Sequence, residues 1–321
     1  MTSKITAAEA ARFKNVSLQA IHKSLKAKNL EFKKSQNRVY FGHETSMAIF
    51  NLSFSPKTIA FQIVKGGTGK TSLAHSVAVR ASLYGAKVLC VDLDQQANLT
   101  QSLGLNAENL PVMVDVLKKQ AKINDCVVNI ESGLDLIPSR IENALLDTVL
   151  MLERYPLDRV YRDAFLEIKN KYDLVVIDCP PSLGQSVAAI ALASDMIIAP
   201  VTPEEFSLSG LKISNEEIIN IENTYKVKIP LKLVLNKFDT RTSLSHQILS
   251  SLIKHPVFSE KMFKTYIRAS QDFPNSIFQG VSIFEAVRQT TAKEDVDLLT
   301  KEILGITPEK TQLISLGTLE R

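Results

Sequence analysis

The stretch Lys65-Gly66-Gly67-Thr68-Gly69-Lys70-Thr71 decides the fold of this 321-residue chain. It stands between an apolar run at residues 58–64 and a helical pattern at 71–84. A strand, a glycine-rich turn and a helix that opens with Lys-Thr form the setting of a phosphate-binding loop. Glycines let backbone N–H groups face phosphate oxygens, and the start of the helix adds partial positive charge. We therefore expect a nucleotide site.

Within that site each residue type predicts a contact. Lys70 is expected to lie along the β- and γ-phosphates, and the hydroxyl of Thr71 to complete the coordination of Mg²⁺. The residues of the loop expected to bind the nucleotide are Gly66, Gly67, Thr68, Gly69, Lys70, Thr71 and Ser72.

Short apolar runs alternate with amphipathic stretches after residue 57. This alternation favours an α/β fold, a P-loop NTPase with a mostly parallel sheet flanked by helices. The expected strands are 58–64, 87–92, 134–138, 174–178, 196–200 and 231–235, and the expected helices include 71–84, 185–193 and 208–223. Ligands in such sheets bind at the carboxyl ends of the strands, where the glycine-rich stretch lies.

A second signal is the apolar run at 174–178, which ends in Asp178 and is followed by Cys179. An aspartate at this place is the Walker B pattern, and we expect Asp178 to hold Mg²⁺ through water. Cys179 is interpreted as a small buried side chain without a chemical role.

The sequence predicts two domains, an N-terminal domain at residues 1–54 and a second domain at residues 55–321. Pro56 disfavours helix at the preceding residue, which supports a break there. Before it, a helix at 6–13, a turn at 15–17 and a helix at 18–28 capped by Ser17 form a helix-turn-helix pattern. Residues 31–41 then resemble a β-hairpin, so we expect a small winged helix-turn-helix domain.

Positive charge is concentrated in this domain. Residues 1–50 carry nine lysines and arginines against three glutamates, while the whole chain has a net charge of +4. A basic surface of this kind favours DNA as partner. The second helix is expected to bury Leu18, Ile21 and Leu25, and the expected DNA contacts are Gln19, Lys23, Lys26, Lys33, Lys34 and Arg38. A helical appendage used for dimerisation is the alternative.

Three scattered cysteines and five histidines show neither a disulfide framework nor metal-ligand spacing. No apolar run of 18 residues is present, so a transmembrane helix is not expected. These features predict a cytoplasmic protein.

The glycine-rich stretch lacks the usual first glycine, because position 64 is Val64, and it opens with Lys65 instead. This K-G-G-x-G-K-T form resembles the deviant Walker A motif of the ParA/MinD group of ATPases. The resemblance implies that Lys65 reaches the phosphates of a partner chain's ATP, so that ATP binding produces a homodimer. Residues 88–100 resemble the family's D-x-D-P-Q-x-N segment, with Gln95 where proline is usual.

This match makes Asp94 the catalytic aspartate that orients the attacking water, while Asp92 would hold the switch loop. The segment 200–211 and the strand that ends in Asn236 also resemble the family, which implies contact of Asn236 with adenine. In all, the resemblance covers residues 58 to 304.

The ParA resemblance further implies partners and a cycle. The ATP-bound dimer would bind DNA without sequence preference through Arg241, Lys264 and Arg268, and so associate with the nucleoid. A ParB-like centromere-binding protein would stimulate slow hydrolysis to ADP and phosphate and so release the DNA. An N-terminal winged helix resembles the large plasmid ParA proteins, which also repress their own operon.

Two other functions remain open from the sequence. A MinD-like cell-division ATPase shares the ATPase core but requires a C-terminal membrane helix, for which the sequence gives no signal. A transcriptional regulator that binds the nucleotide only as a ligand would retain the N-terminal domain and the glycine-rich stretch but would not need Asp94.

Overall fold

The computed structural model describes residues 3–35, 38–204 and 207–306, with the backbone alone at 207–209. The strands are β1 (Ile5–Thr6), β2 (Lys33–Ser35), β3 (Arg38–Phe41), β4 (Lys57–Phe61), β5 (Val88–Asp92), β6 (Val128–Glu131), β7 (Leu134–Ile137), β8 (Leu174–Asp178), β9 (Met196–Val201) and β10 (Leu231–Leu235). The α-helices are α1 (Ala7–Lys14), α2 (Leu18–Ala27), α3 (His43–Phe50), α4 (Lys70–Ser82), α5 (Asn98–Ser102), α6 (Met113–Leu117), α7 (Leu146–Leu152), α8 (Val160–Lys169), α9 (Gln185–Ala193), α10 (Ser207–Tyr225), α11 (Ser243–Lys254), α12 (Asp272–Gln279) and α13 (Thr291–Leu304). Short 3₁₀ turns lie at Ile123–Cys126, Ile141–Leu145, Ser259–Lys261 and Ile283–Glu285.

Seven strands form the central sheet, in the order β10-β9-β4-β8-β5-β7-β6. All neighbouring pairs are parallel except β6 and β7, which are antiparallel. β5 and β8 are buried along their whole length, as expected for strands covered on both faces by helices. The expected α/β fold with a mostly parallel sheet is therefore confirmed. The antiparallel edge strand β6 was not expected.

The strand before the glycine-rich loop ends earlier than expected, at Phe61 instead of residue 64. The Gln62 N–H still donates to the carbonyl of Ile198 at 3.0 Å. The Val64 N–H then donates to the hydroxyl of Ser214 at 3.3 Å, outside the sheet. The loop therefore begins while its residues are still apolar, which a pattern of hydrophobicity does not reveal.

The N-terminal residues form α1, a turn at 15–17, α2 and the antiparallel pair β2–β3, in the expected order. Ser17 accepts a hydrogen bond from the Ala20 N–H at 3.2 Å and caps α2. β1 adds a third strand beside β3, and α3 follows; neither was expected. Leu18 was expected to face the core, and this was wrong: it is exposed at the first position of α2.

We call the described residues up to 54 the head. Residues 51–56, around the expected boundary, form neither helix nor strand. On the two sides of that boundary, however, the side chains share one hydrophobic cluster. The rings of Phe13, Phe50 and Tyr84 meet at centroid distances of 5.0 to 5.4 Å. The head therefore packs directly on the end of α4, the helix that follows the glycine-rich loop.

A buried ion network lies at the same junction. Arg80 of α4 is 2% exposed and donates to Asp297 of α13 at 2.6 Å. Its guanidinium also lies 3.5 Å from the carboxylate of Glu9, which caps α1 together with Thr6. Three regions of the chain thus meet at one cation.

Candidate nucleotide site

The glycine-rich loop connects the end of β4 to the first residue of α4, Lys70. Gly67 and Gly69 have φ angles of +73° and +94°, in the left-handed region that favours glycine. A Cβ on Gly69 would also lie 2.2 Å from the amide nitrogen of Asn236. Asn236 donates from that nitrogen to the carbonyl of Thr68 at 2.7 Å. The conformation of the loop is therefore stabilised by Asn236, the residue that follows β10.

The loop forms one wall of a cavity of about 1110 Å³, which is large enough for a nucleoside triphosphate. The cavity is lined by Gly66, Gly67, Gly69, Lys70, Thr71, Ser72, Asp94, Asn236, Lys237, Arg241, Arg268, Phe273, Ile277 and Phe278, among others. Most of the residues expected to bind the nucleotide are thus brought together. Thr68 is the exception among the loop residues, because its side chain is buried behind the loop.

Lys70 lies at the base of this cavity with 7% of its surface exposed. Its ammonium donates to the carbonyl of Lys65 at 3.2 Å, which turns the side chain back over the loop. Burial lowers the pKa of Lys70, and the nearby carboxylate of Asp178 opposes that shift. Phosphate oxygens in the cavity would supply the negative charge that this buried cation lacks.

Thr71 and Asp178 form the pair expected at the metal. The hydroxyl of Thr71 donates to Oδ2 of Asp178 at 2.6 Å, which leaves its lone pairs available to a cation. Oδ1 of Asp178 is buried and has no hydrogen-bond partner within the part of the chain that the structure describes. Burial, and then the neighbouring Asp92, raise the pKa of Asp178. A divalent cation bound here would stabilise the ionised carboxylate, so the residues present fit Mg²⁺.

Asp92 and Asp94 have different surroundings. Asp92 is fully buried and accepts hydrogen bonds from the N–H and hydroxyl of Thr100, at 2.9 and 2.7 Å, and from the Asp94 N–H at 3.1 Å. Burial raises the pKa of Asp92 to about 7. Asp94 lines the cavity and accepts from the Gln96 N–H at 3.0 Å. Asp92 therefore holds the loop, and Asp94 faces the space for a ligand.

Lys65 is not among the residues that line the cavity in this single chain. Its ammonium donates to the carboxylate of Glu204, in the segment after β9. The structure describes one chain, so the contact of Lys65 with a partner chain remains a prediction.

The residues expected to bind DNA lie in two separate places. Gln19, Lys23 and Lys26 are exposed on α2 of the head. Lys33 and Lys34 are exposed on β2, while the exposed Arg38 donates to the carbonyl of Val287 at 2.9 Å and so ties β3 to the body. Arg241, Lys264 and Arg268 lie on the body.

The three body residues differ in how they are held. Arg241 has 86% of its side chain exposed and pairs with Asp239 at 2.9 Å. Lys264 is exposed. Arg268 donates two nitrogens to Asp295, one at 2.6 Å. The geometry thus favours Arg241 and Lys264 over Arg268 as phosphate contacts, because their cations are more accessible.

Sequence reasoning missed several residues around the cavity. Lys237 donates to the carbonyl of Gly67 at 2.8 Å, and its place beside Asn236 could have indicated that role. Phe273, Ile277 and Phe278 of α12 form an apolar wall, which no motif indicates. Ser139 donates to the carbonyl of Asp94, and Asn143 donates to the hydroxyl of Ser139. Ser139 follows the carboxyl end of β7, and the rule that ligands bind at such ends could have found it.

Two searches of the described residues bear on other functions. No helix there combines the length and apolarity needed to cross a bilayer. No cluster of three or more His, Cys, Asp or Glu side chains suited to a metal ion occurs in that part of the chain.

The parallel sheet, the glycine-rich loop between β4 and α4, and the aspartate that ends β8 define the class of this protein as P-loop NTPase. A family model described as an AAA domain matches residues 56–231, more than half of the chain. The chain is 32% identical over 252 residues to a ParA family protein of Chlamydia muridarum, covering 77% of this chain and 97% of that protein. It therefore belongs to the ParA family.

Two further comparisons agree with this assignment. The chain is 28% identical over 251 residues to the chromosome-partitioning ATPase Soj of Treponema pallidum, covering 78% of this chain and 97% of that protein. A crystal structure of a plasmid partition protein from Borrelia burgdorferi B31, bound to AMPPNP, superposes with a TM-score of 0.66 at 22% identity. The superposed region covers 79% of this chain and the whole of the Borrelia chain, and this likeness shows that the two chains share a fold. The whole head precedes the range of the family model, which begins at residue 56.

Proposed function

We propose that this ParA family member is a DNA partition ATPase, which binds ATP with Mg²⁺ and hydrolyses the ATP slowly to ADP and phosphate. The observation that carries the proposal is the position of Asp94. Its carboxylate lines the same cavity as Lys70 and Thr71, while its neighbour Asp92 is used to hold the loop. A protein that only sensed nucleotide would not require a carboxylate there.

In the proposed reaction each residue has one role. The N–H groups of the loop and Lys70 hold the phosphates, and Lys70 neutralises their charge. Thr71 and Asp178 are the residues that would hold Mg²⁺, Thr71 by its hydroxyl and Asp178 through water. The metal, when bound, stabilises the charge that develops on the transferred phosphoryl group. Asp94 orients the attacking water, and Asn236 contacts the adenine.

The ATP-bound form is proposed to be a homodimer closed over the nucleotides. Resemblance to the deviant Walker A group assigns Lys65 to the phosphates of the partner chain's ATP. The ion pair with Glu204 is a partly exposed contact, and such pairs contribute little stability. Exchange of the Glu204 carboxylate for a triphosphate is therefore energetically accessible.

The proposed dimer binds DNA without sequence preference through Arg241 and Lys264, with Arg268 nearby. Contacts of lysine and arginine with phosphates need only accessible positive charge, which the exposure of Arg241 and Lys264 supports. A ParB-like centromere-binding protein is the proposed partner that stimulates hydrolysis and releases the dimer. The protein would then alternate between the nucleoid and the cytoplasm.

We further propose that the head is a winged helix-turn-helix domain that binds operator DNA and represses the protein's own operon. The capped helix α2 supports this proposal, because Gln19, Lys23 and Lys26 share its exposed surface. The exposed lysines of β2 are available as backbone contacts of a wing. Arg38 is held by the body and so would anchor the wing.

The test of the proposed function is ATP hydrolysis by the Asp94→Asn variant. We expect kcat to fall by about a hundredfold or more, because a positioned carboxylate contributes on that scale. Affinity for ATP should stay within about twofold, since Asp94 acts on the attacking water and not on the bound nucleotide. Steady-state hydrolysis and titration with a fluorescent ATP analogue measure the two quantities.

Glu108→Gln provides the control, because it removes an exposed carboxylate from the loop after α5 and should leave both quantities unchanged. Hydrolysis by Asp94→Asn at the wild-type rate would contradict the proposal. Absence of hydrolysis in the wild type itself would favour a transcriptional regulator in which the nucleotide is only a ligand.

A further inference from the structure

The segment from Asp94 to Thr100 leads from β5 into α5 and carries the proposed catalytic carboxylate. Ser139, just after β7, contacts both ends of this segment. Its hydroxyl donates to the carbonyl of Asp94 at 2.7 Å. Its N–H donates to the hydroxyl of Thr100 at 2.9 Å. One buried residue, 1% exposed, thus holds the segment at its beginning and at its end.

The orientation of the Ser139 hydroxyl is fixed by Asn143. The Asn143 amide donates to the hydroxyl oxygen of Ser139 at 2.8 Å, so the serine proton is directed toward Asp94. The amide oxygen of Asn143 accepts from the Val114 N–H at 3.2 Å, which ties it to α6. Asn143 is 4% exposed, and hydrogen bonds in series within a buried site strengthen one another.

The other face of the segment is held by Asp92. Oδ2 of Asp92 accepts from the Thr100 hydroxyl, while that hydroxyl accepts from Ser139. The segment is therefore fixed between β5 on one side and the residues after β7 on the other. Ser139 is not among the residues that line the nucleotide cavity, so its effect on the reaction must pass through Asp94.

We propose that Ser139 is a positioning residue for ATP hydrolysis, which fixes the carboxylate of Asp94 through the carbonyl of the same residue, and that Asn143 supports it. The proposal rests on the proposed function. A reacting group that shifts by about 1 Å can lose about a hundredfold in rate, so one hydrogen bond to the backbone of Asp94 is sufficient to matter. The hydrogen bond between Ser139 and Asp94 does not contact the nucleotide, so the affinity for ATP does not depend on that bond.

Four variants separate this role from a general loss of packing. Ser139→Ala removes the hydroxyl and retains the backbone N–H, and Ser139→Thr restores a hydroxyl. Asn143→Ala removes the group that orients it. Ser102→Ala is the matched control, because Ser102 is also fully buried and its hydroxyl donates to the carbonyl of Leu99. That bond lies inside α5 and does not connect the segment to the residues after β7.

We expect Ser139→Ala to lower kcat about tenfold while ATP affinity stays within about twofold, and Asn143→Ala to act in the same direction. Ser139→Thr should recover most of the rate, and Ser102→Ala should match the wild type. Hydrogen exchange in the apoprotein gives a second readout that does not depend on activity. The amides of residues 94–100 should exchange several-fold faster in Ser139→Ala than in Ser102→Ala.

Equal rates and equal exchange in Ser139→Ala and Ser102→Ala would overturn the proposal. So would a parallel loss of kcat, ATP affinity and melting temperature in Ser139→Ala, because that pattern indicates loosened packing. If the wild type hydrolyses ATP no faster than Asp94→Asn, the proposed function fails. The exchange readout then still decides whether Ser139 holds the segment.

Discussion

Asp92 and Asp94 show what a single residue's surroundings decide. Asp92 ends β5 and Asp94 follows two residues later, and the sequence places both near the nucleotide. The resemblance to the ParA family implies that Asp94 is catalytic and that Asp92 holds the loop. The contacts of the two carboxylates give a physical reason for this difference. The two carboxylate oxygens of Asp92 accept hydrogen bonds from Thr100 and Asp94, whereas Asp94 faces the cavity. No sequence motif indicates the role of Ser139, because that role depends on a hydrogen bond to Asp94, which is 45 residues away in the chain.

His75, on α4, gives a prediction at the same scale. Its ring is 2% exposed and Nε2 has no hydrogen-bond partner among the described residues. Burial lowers the pKa of His75 to about 4, from an ordinary value of 6.5. The unfolded chain therefore binds the proton more readily, and the free energy of unfolding falls as the pH drops from 6.5 toward 4. The loss from this group is roughly 3 kcal/mol.

Urea unfolding between pH 7 and pH 4.5 measures this dependence. The His75→Gln variant should lose part of the slope, while His246→Gln, at an exposed position on α11, should retain it. An identical slope in the wild type and His75→Gln would show that His75 is not buried as the neutral ring.

At the scale of elements, the sequence predicted helices α1, α2, α4, α9 and α10, and of the seven strands of the central sheet it predicted all but β6. It did not single out the remaining helices. The sequence failed at α3, because Gly42 and Asn51 at its ends give weak signals beside its mixed composition. It also failed at β6, an edge strand of only four residues whose side chains are half exposed. Both elements are determined by packing: α3 against Tyr84 and β6 against β7.

The contact between α4 and α13 gives a prediction about elements. Asp297→Asn removes the charge that Arg80 faces at 2.6 Å and leaves the guanidinium with Glu9 at 3.5 Å. Removal of one partner of a buried ion pair leaves an uncompensated charge. We therefore expect the free energy of unfolding to fall by about 3 kcal/mol. Chemical denaturation followed by circular dichroism measures it.

Because Glu9 belongs to the cap of α1, the same variant should also speed hydrogen exchange in residues 7–14. Asp163→Asn, on the exposed side of α8, is the control and should change the free energy by less than about 0.5 kcal/mol. Equal stability of the two variants would contradict a buried ion pair at this junction.

For the whole molecule, the sequence predicts two domains, and one hydrophobic cluster contains side chains from both the head and the body. Glu9, Arg80 and Asp297 are more than 200 residues apart at the extremes, and no local pattern reveals such a contact. The proposed operator surface on α2 is thus attached to the helix that carries the nucleotide loop. The proposed contact with DNA of any sequence, in contrast, includes Arg241 on the body, whose side chain is 86% exposed and also lines the nucleotide cavity.

The central claim is that ATP controls DNA binding through a dimer, and an electrophoretic shift with unrelated DNA tests it most directly. The account predicts a shift with ATP and Mg²⁺, none with ADP or without nucleotide, and loss of the shift in Lys65→Ala. Lys23→Glu, on the exposed surface of α2, should retain the shift, because that surface is proposed to serve the operator. A shift that is the same with ATP, with ADP and in Lys65→Ala would contradict the account.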